Sequence, residues 1–376
     1  MIGNLDITTL QEIWWLLIAT LGALFLFLSF VQGGQTLLFD VAKTEDEKTL
    51  IVNSLGRKWE LTYTTLVTFG GAIFAAFPKL YSTSFGGAYW VWTIILFSFI
   101  IQAVSYEYRK KPNNFLGQKT YEVFLLINGT LGILLIGTAV GTFFTGANFS
   151  LNDYNFVTWT HPLRGLEAAF NYFNVSLGLF LVFNARVLGA LYLLNNLDFN
   201  SAPLLEDRLR KSTVMNFMIE LVFLVVVLVS LLLMSGYGVV QGGQVELMTY
   251  KFSANLFANP LNLLLLLGGL STVIWGVYIT KFKNANNGIW YSGAGTFLVG
   301  LLVFFLVGYN GTCIYPSLTH PQSSLTIYNA SSTHYTLTVM TYVAFLIPFV
   351  IAYIIYVWRA MDLKKLSLSD LKEKAY

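Results

Sequence analysis

The sequence predicts an all-α integral membrane protein of about nine transmembrane helices. Three observations predict it. Charged residues make up 11% of the 376 residues, where a soluble chain carries about 25%. Hydrophobic residues reach 56%, and the mean hydropathy is +0.64. The apolar residues fall in runs of roughly 18 or more, long enough to cross about 30 Å of hydrocarbon. The net charge of +3 gives no nucleic-acid signature, because the basic residues sit on short loops between apolar runs. The single cysteine, Cys313, excludes an intrachain disulfide. No cleavable signal peptide is expected, since the first apolar run begins near Glu12, lacks a basic flank and is too long.

The runs place helix one over 12–38, helix two over 59–81, helix three over 87–106 and helix four over 120–144. Helix five is placed over 165–197, helix six over 213–235, helix seven over 259–280, helix eight over 288–309 and helix nine over 334–358. Breakers stand between them: Lys111-Pro112-Asn113-Asn114, Ser201-Ala202-Pro203 and Asn284-Ala285-Asn286-Asn287-Gly288. Of the 22 lysines and arginines, 18 fall on alternate loops and the tail, including Lys372 and Lys374. The other side carries Lys79, Arg164 and Lys251, and Arg186 lies inside helix five. The positive-inside rule then places the N-terminus outside and the C-terminus in the cytoplasm. All nine tryptophans fall near helix ends, at headgroup level. A weak echo links helix one, from Leu21-Gly22, with helix five, from Leu177-Gly178. It fits two related four-helix units plus one extra helix.

Redox chemistry needs ligands. The three histidines, His161, His320 and His334, all fall at or beyond the outer surface. No histidine is mid-helix and no methionine–histidine pair faces across a bundle, as axial haem ligation requires. No Cys- or His-rich metal spacing occurs. The chain is therefore expected to hold no metal or haem by itself, and His334 reads as an interfacial residue. Ionisable groups at membrane depth are costly and often functional. They are Glu60, Glu107, Glu122, Glu167, Arg186 and Glu220. Four of the carboxylates, Glu60, Glu107, Glu122 and Glu220, lie in the cytoplasmic half, where an acid can relay protons. Glu122 reads as a helix-start carboxylate that complements the helix dipole. Arg186 and Glu220 lie on consecutive antiparallel helices, both about 10–15 Å in from the cytoplasmic ends. They are expected to form an intramembrane ion pair with a structural role.

Several segments resemble subunit II of the cytochrome bd ubiquinol oxidases. They are Ile13-Trp14-Trp15-Leu16-Leu17, Phe69 to Pro78, Glu107-Tyr108-Arg109, Asn128-Gly129 and Gly137 to Gly141, then Tyr315-Pro316-Ser317, Ser324 to Ser332 and Leu337 to Met340. The polar block Ser324 to Ser332 is the most specific, because hydrophobicity alone gives it no reason to match. The resemblance spans the chain. It implies two four-helix bundles and a peripheral ninth helix: a first bundle over 1–144, a second over 145–310, and an outer loop, ninth helix and tail over 311–376. It implies a haem-free subunit II in a bacterial inner membrane, paired with a subunit I that holds two b haems and one d haem. The complex oxidises quinol, reduces O2 to water and takes protons from the cytoplasm; this chain alone is not expected to be catalytic. Small single-helix accessory subunits and a structural quinone are further expectations. Glu60, beside Trp59 at the start of helix two, and Glu107 are expected on the proton path, and Trp59 at a quinone site or the subunit interface. The sequence also departs from the family. Ser29-Phe30-Val31-Gln32-Gly33-Gly34 replaces an acidic stretch of helix one, Leu61 to Thr65 replaces most of the helix-two pattern, and Gln102 stands for an arginine. Against the oxidase reading stand a secondary transporter, hinted at by Gly33-Gly34 interrupting helix one, and a structural membrane scaffold.

Overall fold

Long runs of Leu, Phe, Val and Ile fold as helices because a helix satisfies every backbone polar group internally where no water is present. The computed structural model describes residues 5–200, 202–368 and 370; Lys372 and Lys374 of the tail lie outside them. Helix one runs Ile7–Leu28 and continues past Ser29 as Phe30–Thr36. Helix two is Trp59–Ala76, helix three Tyr89–Tyr108, helix four Gln118–Thr145 and helix five Tyr172–Asn196. Helix six is Pro203–Leu233, helix seven Pro260–Phe282, helix eight Gly288–Gly308 and helix nine His334–Met361. Among the described residues, eight helices are long and apolar enough to cross a membrane. The count is nine when the bent pair Glu45–Ala76 and Pro78–Gly86, which turn by 118°, is taken as one span.

The structure moves several boundaries, each for a local reason. Helix two ends at Ala76 and not near Tyr81, because Pro78 bars its predecessor Phe77 from helical backbone (φ −132°, ψ 65°). Helix six starts at Pro203, ten residues before the expected Thr213, with the proline at its first turn. Arg208, Arg210 and Lys211 are therefore helical, not loop residues. Helix five starts at Tyr172 and not Gly165; Asn171 caps it by accepting from the Phe173 and Asn174 N–H groups at 2.9 and 3.3 Å. Gly33-Gly34 does not interrupt helix one, which passes through both residues as helix.

Those glycines serve packing instead. A Cβ on Gly33 would lie 1.8 Å from the Ala185 carbonyl oxygen, and one on Gly189 would lie 2.2 Å from the Gly34 nitrogen. Helices one and five thus cross with their backbones in contact. Gly33 stands as far beyond Gly22 as Gly189 stands beyond Gly178, so the sequence echo meets itself at this crossing. Gly22 faces Phe304 of helix eight, while Gly178 faces Gly137 of helix four. Each repeat helix therefore packs on the fourth helix of the other unit.

The two ends of the bundle differ. At one rim the basic residues pair in place: Lys58 with Asp362 at 3.0 Å, Arg210 with Glu206 at 2.6 Å, and Arg208 with Glu47. The opposite rim is capped by two hairpins and the 311–333 segment. Strand β1 (Phe149–Leu151) pairs antiparallel with β2 (Val157–Trp159), and β3 (Gly236–Val239) with β4 (Val245–Met248). The 311–333 segment ties these together. Ala147 bridges Ser317, the Cys313 N–H donates to the Tyr237 carbonyl at 3.0 Å, and Gln322 exchanges hydrogen bonds with the Val245 backbone. The Ser332 N–H donates to the Ala76 carbonyl at 2.8 Å, and Gln11 donates to Ser331 at 2.5 Å. Cys313 is buried, which pushes its thiol up to about 12 and leaves it unreactive at neutral pH.

The helix one–five crossing gives a direct test. Gly33→Ala forces the two backbones apart and should destabilise the protein by about 1–3 kcal/mol, the usual cost of overpacking. Gly71→Ala, where an added Cβ meets nothing within 4 Å, is the matched control. Equal thermal unfolding temperatures for the two variants would refute the tight crossing.

Candidate functional site

Within the first four helices a column of buried polar side chains rises from the basic rim. Its centre is Gln35, fully buried near the end of helix one. Gln35 Nε2 donates to the Leu125 carbonyl at 2.8 Å and to Asn128 Oδ1 at 2.7 Å, both on helix four. Its Oε1 accepts from Gln102 Nε2 and from the Tyr106 hydroxyl of helix three, each at 3.0 Å. Gln32 lies one turn further in and donates to Gln102 Oε1 at 3.5 Å, while Asn128 donates to Ser98 Oγ at 3.4 Å. Gln32 Oε1 has no partner among the described residues. Helix four widens to a π-turn at Asn128–Gly132 beside the column. Such turns concentrate at functional places in helices.

At the mouth stands a buried ionic cluster. Arg109 Nη2 and Nε reach Glu122 Oε1 at 2.6 and 3.1 Å, and Lys48 Nζ reaches Glu122 Oε2 at 3.0 Å. Arg109 and Glu122 are each almost fully buried. Lys48 also pairs with the exposed Glu45 at 2.8 Å, and Gln118 bridges Glu45 and Glu122. Thr44 and Glu47 form a capping box that starts the helix Glu45–Gly56 and so aims Glu45 and Lys48 at this point. A carboxylate held by a guanidinium and an ammonium stays charged, and the surface acid Glu45 links it to solvent.

The residues singled out in the sequence are distributed differently from expectation. Glu122 is not a solvated helix-start acid but the buried anion of this cluster. Glu60 is exposed at the basic rim, and Glu107 is exposed and paired with Lys111 at 3.0 Å; neither touches the column. Trp59 does touch it, stacking on Tyr106 with ring centres 5.8 Å apart. Glu167 lies on the short turn Leu166–Phe170, accepting from the Gly165 N–H at 2.7 Å. His161, His320 and His334 contact Glu167, Ser323 and the Leu5 carbonyl respectively. Among the described residues no cluster of three or more His, Cys, Asp or Glu side chains could hold a metal ion.

The expected Arg186–Glu220 pair does not form. Arg186 pairs with Asp40 and donates to Asn216 Oδ1 at 2.7 Å and Thr36 Oγ1 at 2.8 Å. Glu220 Oε1 instead accepts from Asn184 Nδ2 at 2.9 Å. Asn184 and Arg186 are two residues apart on helix five, so at about 3.6 residues per turn their side chains face opposite ways. The long arginine also reaches back to the rim, where its charge is cheaper. Glu220 is 2% exposed, and its Oε2 has no partner among the described residues. It opens on a cavity of about 240 Å³ with apolar walls from helices one and four to eight.

A profile of the family described as cytochrome bd terminal oxidase subunit II matches residues 10–361. The chain belongs to this family. It is 27% identical over 368 residues to a probable cytochrome oxidase subunit 2 of Haemophilus influenzae, covering 94% of each chain. It is 26% identical over 375 residues to the cytochrome bd-I ubiquinol oxidase subunit 2 of Escherichia coli, covering 93% of each. Its fold is similar to a chain of the bd oxidase from Geobacillus thermodenitrificans, with a TM-score of 0.62 at 15% identity, covering 95% of this chain and 100% of that one. As a bd oxidase subunit II it is one part of an oxidoreductase complex with a subunit I, in which the haems are expected. The column, the mouth and the Glu220 cavity are therefore features of subunit II itself.

The re-assigned arginine is testable by double-mutant cycles on thermal stability. Arg186→Leu and Asp40→Asn should couple by at least about 0.5 kcal/mol, while Arg186→Leu and Glu220→Leu should add within about 0.5 kcal/mol. The reverse pattern would restore the pairing expected from sequence.

Proposed function

We propose that subunit II serves a quinol-oxidising, O2-reducing complex by stabilising subunit I and admitting protons through the buried column. The observation that carries this reading is the unbroken set of hydrogen bonds that joins Gln35 to Gln102, Tyr106 and Asn128 above the Glu122 cluster. O2 reduction to water consumes protons, and a respiratory oxidase draws them from the cytoplasm. The basic rim faces the cytoplasm by the positive-inside rule, which puts the mouth of the column on the required side. Protons enter on water at the Glu45 mouth, the fixed charges of Lys48, Arg109 and Glu122 orient that water, and six residues of helix four, about 9 Å, separate Glu122 from Asn128 of the Gln35 network. In this reading further waters span that step. Amides do not titrate at neutral pH, so Gln35, Gln102 and Asn128 orient water and hydroxyls. Glu60 and Glu107 add surface acids around the same rim. The competing role for the column is to hold helices one, three and four together, since interhelical side-chain hydrogen bonds do this in membranes.

A structural quinone is the second reading, favoured by the unpartnered Glu220 Oε2 at an otherwise apolar cavity. In its quinol form the head would donate a hydroxyl to Glu220 Oε2, and Ile274, half exposed on helix seven, marks where a tail would leave the cavity. When bound there, a quinone supplies a flat ring with hydrogen-bonding oxygens that fills the seam between the two units.

Tyr106→Phe removes one hydroxyl from the column and nothing else. We expect turnover per haem to fall several-fold, with a larger solvent isotope effect, at unchanged haem content. Unchanged turnover in a less stable complex would leave only the gluing role. For the cavity, Glu220→Leu should lower the quinone retained per purified complex by one equivalent while leaving turnover intact. Equal quinone content in variant and parent would remove this reading.

A further inference from the structure

Helix nine stands off from the bundle along its second half. Its first half is pinned, with Trp14 Nε1 donating to the Leu337 carbonyl and to Thr341 Oγ1 at 3.3 and 3.0 Å. After the break at Phe345-Leu346, no residue of Ile347–Met361 is buried. Between this half and helices one, two and eight lies a groove of about 1000 Å³. Its walls are apolar, formed by Leu24, Phe27, Leu61, Phe297, Ile351 and Ile354. Its mouth lies at the basic rim and is built differently. The Trp290 and Trp358 rings stand there 6.3 Å apart, at the depth that indoles prefer. Lys58 sits 4.6 Å over the Trp358 ring and pairs with Asp362 at 3.0 Å. Arg57 donates to the Met361 carbonyl at 3.0 Å. Arg359 is exposed and has no ion-pair partner among the described residues. Trp358 Nε1 is buried with no acceptor among them. Arg57, Lys58 and Arg359 together outnumber the nearby carboxylates of Asp362 and Glu60.

The geometry points to a bound phospholipid with an anionic head, drawn from the leaflet at the basic rim. Its acyl chains lie along the apolar walls, under helix nine. Its phosphate faces Arg359, which has no ion-pair partner among the described residues. An apolar groove open to a bilayer fills with lipid chains, and a basic pocket between helices at that level selects an anionic head. A helix of another subunit would match the walls but would leave the excess cationic charge at the mouth unused.

The purified complex of subunits I and II, stripped with detergent and titrated with dioleoyl phosphatidylglycerol or dioleoyl phosphatidylcholine, tests this by native mass spectrometry. We expect one phosphatidylglycerol to bind in preference to phosphatidylcholine. Arg359→Gln, an exposed change that leaves packing alone, should weaken that lipid roughly five-fold, the effect of one cation near a charged surface. Its phosphatidylcholine binding should not change. A benzophenone side chain placed at Ile354 should capture phospholipid on illumination. Equal binding of the two lipids, an Arg359→Gln complex that binds as the parent does, or a photo-adduct with a polypeptide would each overturn the assignment.

Discussion

The structure depends on the contact between helices one and five, where Gly33 and Gly34 meet Ala185 and Gly189 without side chains between them. In a bilayer, lipid tails are as apolar as leucine, so helices are held by close packing and not by exclusion from water. Small residues at one crossing let two backbones touch over a long stretch. The crossing sets the rotation of both helices. It turns Gln32 and Gln35 towards helices three and four, which assembles the polar column. It turns Arg186 towards Thr36 and Asp40, and Asn184 towards Glu220. The column and the apolar cavity are thus two faces of one arrangement.

Much of this was legible from the amino acids alone. Hydropathy located the crossings, and the lysines and arginines marked one rim, because these signals are summed over many residues and survive small errors. The echo between helices one and five was faint in sequence but falls on the crossing itself. What periodicity could not show was which way a polar side chain faces. Sequence pairs Arg186 with Glu220 because the two lie at matching depths on consecutive helices, whereas the actual partner of Arg186, Asp40, comes from just past helix one. Glu122 reads in sequence as a helix-start acid because of its place near the beginning of helix four. Its burial depends on Arg109 and Lys48, which come from two other segments and show no pattern with it in sequence. The polar block near Ser324 was informative because it is not an ordinary loop: Leu325, Ile327 and Ala330 are fully buried beneath the cap.

Two of the departures from the family's pattern noted in the sequence meet in one place. Gln32 replaces part of an acidic stretch and Gln102 replaces an arginine, and the two side chains meet in the column at 3.5 Å. The amide pair carries the hydrogen bonding there without a buried charge pair, which is costly even when the geometry is good. It leaves the Glu122 cluster at the rim as the charged part of the column.

The cap at the opposite rim bears on how the chain matures. Residues 311–333 tie the turn after helix four, both hairpins, the start of helix one and the end of helix two. They leave the ribosome after eight of the nine helices. Insertion and packing of membrane helices are separable stages, and long-range contacts form late because closing the intervening loops costs entropy. The helices must therefore wait in the bilayer with their far ends unlatched until this segment arrives. During that interval quality-control proteases have their best access to the rim, and a chain halted before the cap would be a set of inserted helices and not yet a subunit.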